Sequence, residues 1–366
     1  MSDLSKNIVL IVAGGTGGHI FPGLAVASEL KKHGVKLSWI GTARGLEKKV
    51  VKAENIPLFV SPFKGVRGKG LLPLLLLPFR LSIAVFDSIK TLKKIKPDYV
   101  ACFGGYITVP VGISSTIMRI PFLVHEQNAV MGSANRILSR LTKQVFLSFK
   151  STRYSSSTAK FVGNPIRSSF LSVPTPEERW ELRSGPIRIL VLGGSLGAKV
   201  LNVEVPKILK QIKKLNKLKL TVVHQTGEND RDEVNKSYMK AGFKAEVKNF
   251  LDEVITYYCW ADLVICRAGA GTISELAAIG LGSVLIPLEN AIDNHQLLNA
   301  KLLSNADAAL LIEEKNIQDN KILSFFENLD RSILLEYAKR ARSCSNEKSA
   351  SLIATEIINE MVKSEE

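Results

Sequence analysis

The sequence holds no apolar run long enough to span a membrane. Its densest hydrophobic stretch, LLPLLLLPFRLSIAVF at residues 71–86, is interrupted by Pro73, Pro78 and Arg80, whereas a spanning helix takes about 20 consecutive apolar residues. Before the first run of glycines only residues 8–13 are apolar, so no secretory leader is expected. Cysteine is sparse. Cys102, Cys259, Cys266 and Cys344 are widely spaced and form no CxxC pair, which suggests a reducing compartment rather than a zinc site or a disulfide framework. Aromatic residues make up 7% of the chain and are not interleaved with its basic ones, and no reader motif is visible; the net charge of +15 is therefore not taken as a sign of nucleic-acid binding.

What is present describes a globular protein. At 366 residues, 46% hydrophobic and 23% charged, the chain can build two domains, each with its own core. Its charge is lopsided: residues 1–166 carry 23 Lys and Arg against 7 Asp and Glu, and residues 167–366 carry 26 against 27. The first half would suit an anionic membrane or an acidic ligand. Apolar, β-rich runs at residues 8–12, 37–40, 99–103, 122–124 and 144–147, then 188–192, 220–224, 245–249, 263–266, 283–286 and 309–312, alternate with helical patterns. Such alternation predicts parallel sheets covered by helices on both faces. The expected architecture is α/β, with two Rossmann-like doubly wound domains and an interdomain cleft. Residues 1–165 form the first and 166–344 the second, and a last helix at about 345–366 packs back on the first. In open parallel sheets ligands bind beyond the carboxyl ends of the strands.

Two glycine turns stand at such positions. The run IVLIVAGGTGGHIFPG at residues 8–23 reads as a strand, a four-glycine turn and a helix starting near Pro22; IRILVLGGSLGA at residues 187–198 repeats the pattern. A turn of this kind leaves backbone N–H groups at a helix N-terminus, where an anion is favoured, and a Cβ would hold that anion off. A turn packed for shape alone is the plainer alternative. The first turn fails the dinucleotide fingerprint, because Ile20 stands where the third glycine of GxGxxG would fall and no acidic residue ends the next strand. Neither a nicotinamide nor a flavin cofactor is therefore expected, and the absence of a GK[ST] ending excludes a P-loop. His19, just past the last glycine, suits a general base near neutral pH or a helix-end hydrogen bond.

Other motifs also admit two explanations. FGGY at residues 103–106 is a further glycine turn, and HEQN at residues 125–128 puts polar side chains at a strand's end, as a site or as helix caps. In RAGAGTISE at residues 267–275, Thr272 and Glu275 match a capping box as well as a sugar-diol binder. Asp230-Arg231-Asp232 matches a metal-holding DxD, yet it lies in a mixed-charge segment where first-turn helix acids explain it, so no metal is expected. Leu71, Leu74, Leu75 and Phe79, flanked by Lys64, Arg67, Lys69 and Arg80, suit a core helix or a segment lying in a membrane interface.

Taken together, GGTGGHIFPG, FKGVRGKG, CFGGYITVPVG, VHEQNAVMGSANR, VGNPIR, GGSLGA and CRAGAGTISELAAIG, in this order within residues 8–300, closely resemble the MurG family. That resemblance implies a GT-B fold and an inverting, metal-independent, cofactor-free transfer of N-acetylglucosamine from UDP-N-acetylglucosamine to the C4 hydroxyl of undecaprenyl-diphospho-MurNAc-pentapeptide, lipid I, giving lipid II. Carried over by motif, Thr16, Gly17, Gly18 and Asn128 would contact the donor sugar and its phosphates. Arg167 and Ser195 would hold the diphosphate, and Leu251 would meet the uracil through its backbone. Ala270, Gly271, Thr272, Ile273, Ser274 and Glu275 would form the nucleotide loop, with Glu275 on the ribose hydroxyls, while Gln296 would bind the sugar. His19 would be the base. The resemblance makes the first domain the acceptor and membrane side and the second the UDP-sugar domain. Its implied partners are the donor, the lipid acceptor, an anionic membrane surface and other cell-wall enzymes, and its implied place is peripheral, on the cytoplasmic face of the bacterial inner membrane. Leu196 departs from the glutamine of the family's GGSQGA turn, and residues 288–291 are more acidic than the family's version. The alternatives are a UDP-N-acetylglucosamine 2-epimerase of related fold and a membrane-bound sugar-nucleotide sensor without catalysis.

Overall fold

The computed structural model describes residues 4–43, 46–65, 75–181, 183–194, 197–215 and 219–363. They fall into two units: one runs through Arg167 and resumes at Asn346, and the other is Ser168–Ser345. Among the described residues no helix is long and apolar enough to cross a membrane.

In the first unit β1 (Ile8–Ala13), β2 (Lys36–Gly41), β3 (Leu58–Val60), β4 (Tyr99–Gly104), β5 (Phe122–Glu126), β6 (Val145–Leu147) and β7 (Lys160–Phe161) form one parallel sheet. Its order is β3-β2-β1-β4-β5-β6-β7. Because successive strand side chains alternate faces, the apolar run of β1 feeds two cores. Val9 and Ile11 join Trp39, the helix Gly17–Lys32 and the helix Ser349–Lys363 on one side. Leu10 and Val12 join Ile40, Leu92 and Val111 on the other. The helix Ser349–Lys363 buries Ile353, Ile357 and Met361, one residue per turn, so it is a wall of this unit although it follows the other unit in sequence.

The second unit repeats the plan. Strands β8 (Ile187–Leu192), β9 (Leu220–Gln225), β10 (Glu246–Lys248), β11 (Leu263–Cys266), β12 (Ser283–Leu285) and β13 (Ala309–Leu311) lie parallel in the order β10-β9-β8-β11-β12-β13. Ile187, Ile189 and Val191 pack with Leu201, Val205 and Leu209 of the helix Lys199–Leu215.

Each sheet reverses its winding once, between β1 and β4 and between β8 and β11. Loops leaving the two strands at such a switch point diverge, and ligands of open α/β sheets sit in the crevice they leave. All four of these strands run into glycine-bearing turns, which places the glycine motifs at the two switch points. The doubly wound α/β class expected from the alternation of strands and helices holds in both units. Three details differ. Strand β3 lies in the short segment IPLFV and the two-residue β7 at Lys160–Phe161, both outside the expected runs. The first helix begins at Gly17 rather than near Pro22, because Gly17 and Gly18 already adopt helical backbone behind an extended Thr16 (φ −131°). Pro22, whose fixed φ suits a helix, lies inside it and has no N–H to give the Gly18 carbonyl.

Candidate active site

The first turn is built around close backbone approach. Val12 pairs with Cys102 but Ala13 with Gly104, and this register shift brings Gly104 level with the start of the turn. Gly104 (φ +111°) and Gly105 (φ +89°) are left-handed. A Cβ on Gly104 would stand 2.6 Å from Cδ2 of His19, and one on Gly105 would stand 2.7 Å from the Gly14 carbonyl oxygen, so neither position admits a side chain. His19 Nδ1 lies 3.4 Å from both the Gly14 carbonyl and Thr16 Oγ1. A proton on Nδ1, donated to the carbonyl, assigns the lone pair to Nε2. Burial lowers the His19 pKa from its ordinary value, outweighing the upward pull of the Glu126 carboxylate and of the Gly14 bond.

Glu47 is a residue that sequence reasoning missed. Its carboxyl group is fully buried behind the turn, and Oε1 accepts from Thr42 N at 2.8 Å, Thr42 Oγ1 at 2.7 Å and Gly15 N at 3.3 Å. The Gly15 N–H is therefore not bare, and an anion at this turn has one donor fewer than the glycine pattern suggests. No local signature marks Glu47, since it reaches the turn from the helix after β2.

The HEQN segment divides its labour. His125 Nε2 faces the Gly163 carbonyl at 3.1 Å, while Nδ1 accepts from Gln127 Nε2 at 3.0 Å; burial pushes its pKa down to about 4. Gln127 also donates to the Phe103 carbonyl at 2.7 Å, tying β5 to the turn after β4. Glu126 Oε1 accepts from Asn128 N and Nδ2, and Oε2 from Gly132 N and Asn135 Nδ2, the last four contacts lying between 2.8 and 3.2 Å. Glu126 thus ties down the N-cap residue Gly132 and the Asn135 side chain of the short helix Ser133–Leu138, without itself capping a first-turn N–H of that helix. Asn128 alone of the four is half-exposed, with its amide oriented by Glu126.

In the second unit the turn after β8 is as tight as the first. A Cβ on Gly197 (φ +78°) would lie 1.9 Å from the Thr226 carbonyl oxygen, and one on Gly193 2.3 Å from Ala198 N. After β11 the helix Ala270–Ile279 starts from Gly269, so Thr272 lies within the helix and does not cap it. The capping-box explanation of Thr272 and Glu275 is thereby corrected; a true box forms at Thr175 and Glu178 instead. Glu275 Oε2 accepts from the buried Tyr258 hydroxyl at 3.3 Å. Arg267 is committed to Glu314 at 2.6 Å and to the Ile286 and Pro287 carbonyls. Gln296 Oε1 accepts from Leu288 N at 3.0 Å and Ala268 N at 3.3 Å, which turns its Nε2 into the group available to a ligand.

The structure brings Thr16, Gly17, Gly18 and His19 together at one switch point and Ala270–Glu275 at the other. Arg167 belongs to the first unit, its guanidinium 4.6 Å over the Phe21 ring beside that unit's glycine turn. Leu251 is buried, with its N–H on Gln225 Oε1 at 3.2 Å. Ser195 and Leu196 lie outside the described residues, as do Arg67, Lys69, Leu71 and Leu74. Asp230 of the DxD motif accepts from Asn202 Nδ2 at 2.8 Å. Gln225 and Tyr258 also escaped the sequence reading. Gln225 could have been found by the signal that singled out HEQN, a polar residue directly after an apolar strand.

Two doubly wound units with glycine turns at both switch points define the GT-B class of glycosyltransferases. The glycosyltransferase family 28 N-terminal domain matches residues 9–147 and the family 28 C-terminal domain residues 188–357. The UDP-N-acetylglucosamine–N-acetylmuramyl-(pentapeptide) pyrophosphoryl-undecaprenol N-acetylglucosamine transferase of Polynucleobacter asymbioticus is 43% identical over 351 residues, 96% of this chain and 97% of that one. The crystal structure of Acinetobacter baumannii MurG agrees at a TM-score of 0.82 with 36% identity, covering 97% of this chain and 100% of that one. The chain belongs to glycosyltransferase family 28 and, within it, to the MurG family. The UDP-N-acetylglucosamine 2-epimerase of Neisseria meningitidis, at a TM-score of 0.63 and 14% identity over 96% of this chain and 100% of that one, is alike in fold alone. The epimerase alternative is set aside accordingly.

Proposed function

We propose that the chain transfers N-acetylglucosamine from UDP-N-acetylglucosamine to the muramoyl C4 hydroxyl of a pyrophosphoryl-undecaprenol acceptor, the substrates in its relatives' names. The observation that carries the chemistry is the placement of His19 in the first glycine turn, with Nδ1 3.4 Å from the Gly14 carbonyl and burial favouring the uncharged ring, so that Nε2 is the nitrogen assigned to the proton transfer. Nε2 takes the hydroxyl proton as that oxygen attacks the anomeric carbon from the face opposite the diphosphate. The bond from sugar to phosphate breaks, and the carbon inverts. Charge growing on the leaving uridine diphosphate is met by preorganised N–H groups at the N-terminus of Ala270–Ile279, by Ser195 and by Arg167, a set that stabilises it without a metal. Glu275, oriented by Tyr258, accepts from the ribose hydroxyls, Leu251 meets the uracil, and Gln296 donates to the sugar. Thr16, Gly17, Gly18 and Asn128 line the sugar side.

A surface stripe supports peripheral membrane docking by the first unit. Leu75, Phe79, Ile83 and Phe86 recur at helical spacing and are exposed, Phe79 by 67% and Leu75 by 77%, along and just before the helix Leu77–Ile95. Lys90 covers the Phe86 ring at 4.4 Å, and Arg80 follows Phe79 in the same helix. Apolar insertion worth about 1.5–3 kcal/mol per fully buried side chain, with about 1 kcal/mol per cation on an anionic leaflet, gives reversible attachment. The acceptor's prenyl chain stays in the cytoplasmic leaflet of the bacterial inner membrane, and cell shape and division depend on the product.

The test is purified protein with UDP-N-acetylglucosamine and a short-chain lipid acceptor. Disaccharide product, an unchanged rate in EDTA and no manno epimer from donor alone are expected. Donor binding and vesicle docking without turnover would make the chain a sensor instead.

A further inference from the structure

β9 ends on Gln225, a side chain only 4% exposed. Its Nε2 donates to the Gly194 carbonyl at 2.8 Å, and its Oε1 accepts the Leu251 N–H at 3.2 Å. The first partner lies in the glycine turn after β8, where the same Gly194 carbonyl also takes the Gly197 N–H at 3.0 Å. The second lies in the loop after β10, whose backbone is joined to the residues after Gln225 by Thr226 N on the Lys248 carbonyl (2.9 Å) and Gly227 N on the Asn249 carbonyl (3.0 Å). A single buried amide therefore spans two loops. An amide offers a donor at one end and an acceptor at the other without charge, which a carboxylate or an amine cannot do.

We propose that Gln225 is a positioning residue that fixes the spacing between the diphosphate turn and the base loop and so sets the preference for uracil. The inference rests on the reading that the turn at residues 193–198 holds the diphosphate and that Leu251 meets the base. With its N–H engaged by Gln225, the backbone group Leu251 can present to a base is its carbonyl, which opens the turn at residues 252–253 and keeps a second lone pair. An acceptor there pairs with the N3–H of uracil but meets a bare lone pair at N3 of cytosine. A nucleotide diphosphate must satisfy both loops at once, so a strut of fixed length between them favours the base that reaches the carbonyl in register. Without the strut the loop carrying Leu251 can rotate its peptide and offer either group.

The experiment is calorimetric titration of the full chain with UDP, CDP and inorganic pyrophosphate, for wild type, Gln225→Met and Glu275→Ala. Methionine matches the length and volume of glutamine but removes both polar ends. Q225M is expected to cut the ratio of UDP to CDP affinity by about tenfold, the scale of one to two lost hydrogen bonds, with pyrophosphate affinity changed much less. A merely structural role would lower the melting temperature and both nucleotide affinities together, leaving the ratio as in wild type, and that result overturns the proposal. If Q225M does not fold, Gln225→Asn, one methylene too short to span both partners, is expected to give the same loss of ratio and decides in its place. Wild type without preference for UDP over CDP, or E275A with undiminished UDP affinity, would instead overturn the nucleotide-site reading beneath it.

Discussion

The hydroxyl of Tyr258 donates to Glu275 Oε2, so the carboxylate assigned to the ribose is already oriented before any ligand arrives. Replacing Tyr258 by Phe removes one hydrogen bond of about 0.5–1.5 kcal/mol. The KM for UDP-N-acetylglucosamine should rise several-fold while kcat holds, and steady-state kinetics showing an unmoved KM would count against the ribose role of Glu275. His19 makes a prediction in pH. Because burial lowers its pKa, the deprotonated base persists below the ordinary histidine value of about 6.5. The acid limb of kcat/KM should therefore lie below that pH. His19→Ala should abolish the limb and cost about 10²–10⁴ in rate with UDP affinity intact; a limb retained by the variant would remove His19 from the role. At this scale the sequence was informative wherever chemistry coincided with a motif. His19, Asn128 and Glu275 stood in motifs. Glu47 and Tyr258 did not, because their contribution depends on tertiary approach: Glu47 reaches a turn 32 residues before it, and Tyr258 reaches Glu275 from a neighbouring helix.

Among the elements, the helix Leu77–Ile95 shows two faces. Ala84, Ser88, Leu92 and Ile95 are buried, and the opposite stripe of Phe79, Ile83 and Phe86 is not. The double substitution Phe79→Glu with Phe86→Glu changes exposed positions and should leave the melting temperature within a few degrees. It should reduce co-sedimentation with anionic vesicles by about tenfold or more, through lost apolar insertion and like-charge repulsion from the leaflet. Turnover of a short-chain soluble acceptor should persist, and undiminished vesicle binding would place the docking face elsewhere. The periodic runs exposed the strands well, since buried parallel strands are continuously apolar. Helix starts were less legible. Glycines at residues 17 and 18 look like turn residues but are helical behind Thr16, and the capping-box spelling at Thr272 carries no cap because Gly269 already takes that position.

For the molecule as a whole, each unit carries a neutral histidine in its interior. Burial pushes His125 down to about 4 and His224 down to about 3. The unfolded chain binds protons at both from about pH 6.5 downward, whereas the native units do not until far lower pH. Stability should be flat above that pH and fall as the medium is acidified, by about 1.4 kcal/mol per pH unit for each histidine. Urea denaturation at pH 7.5, 6 and 5 would measure it, and midpoints that stay level across this window would refute the neutral assignment. The architecture was largely readable, since the repeated strand–glycine–helix units and the alternation of elements pointed to two doubly wound units. The role of the last helix was less so, because nothing local in SASLIATEIINEMVK says which core it serves.

That helix also sets an order of events during synthesis. The ribosome releases all of Ser168–Ser345 before Ile353, Ile357 and Met361 emerge, so the later-encoded unit has its full complement of chain while the earlier-encoded one still waits for a wall of its core. The nascent protein therefore carries an open apolar face on its first-made unit while the whole second unit is translated, and Asn346, which donates to the Val162 carbonyl at 2.7 Å, is among the first contacts able to seal it.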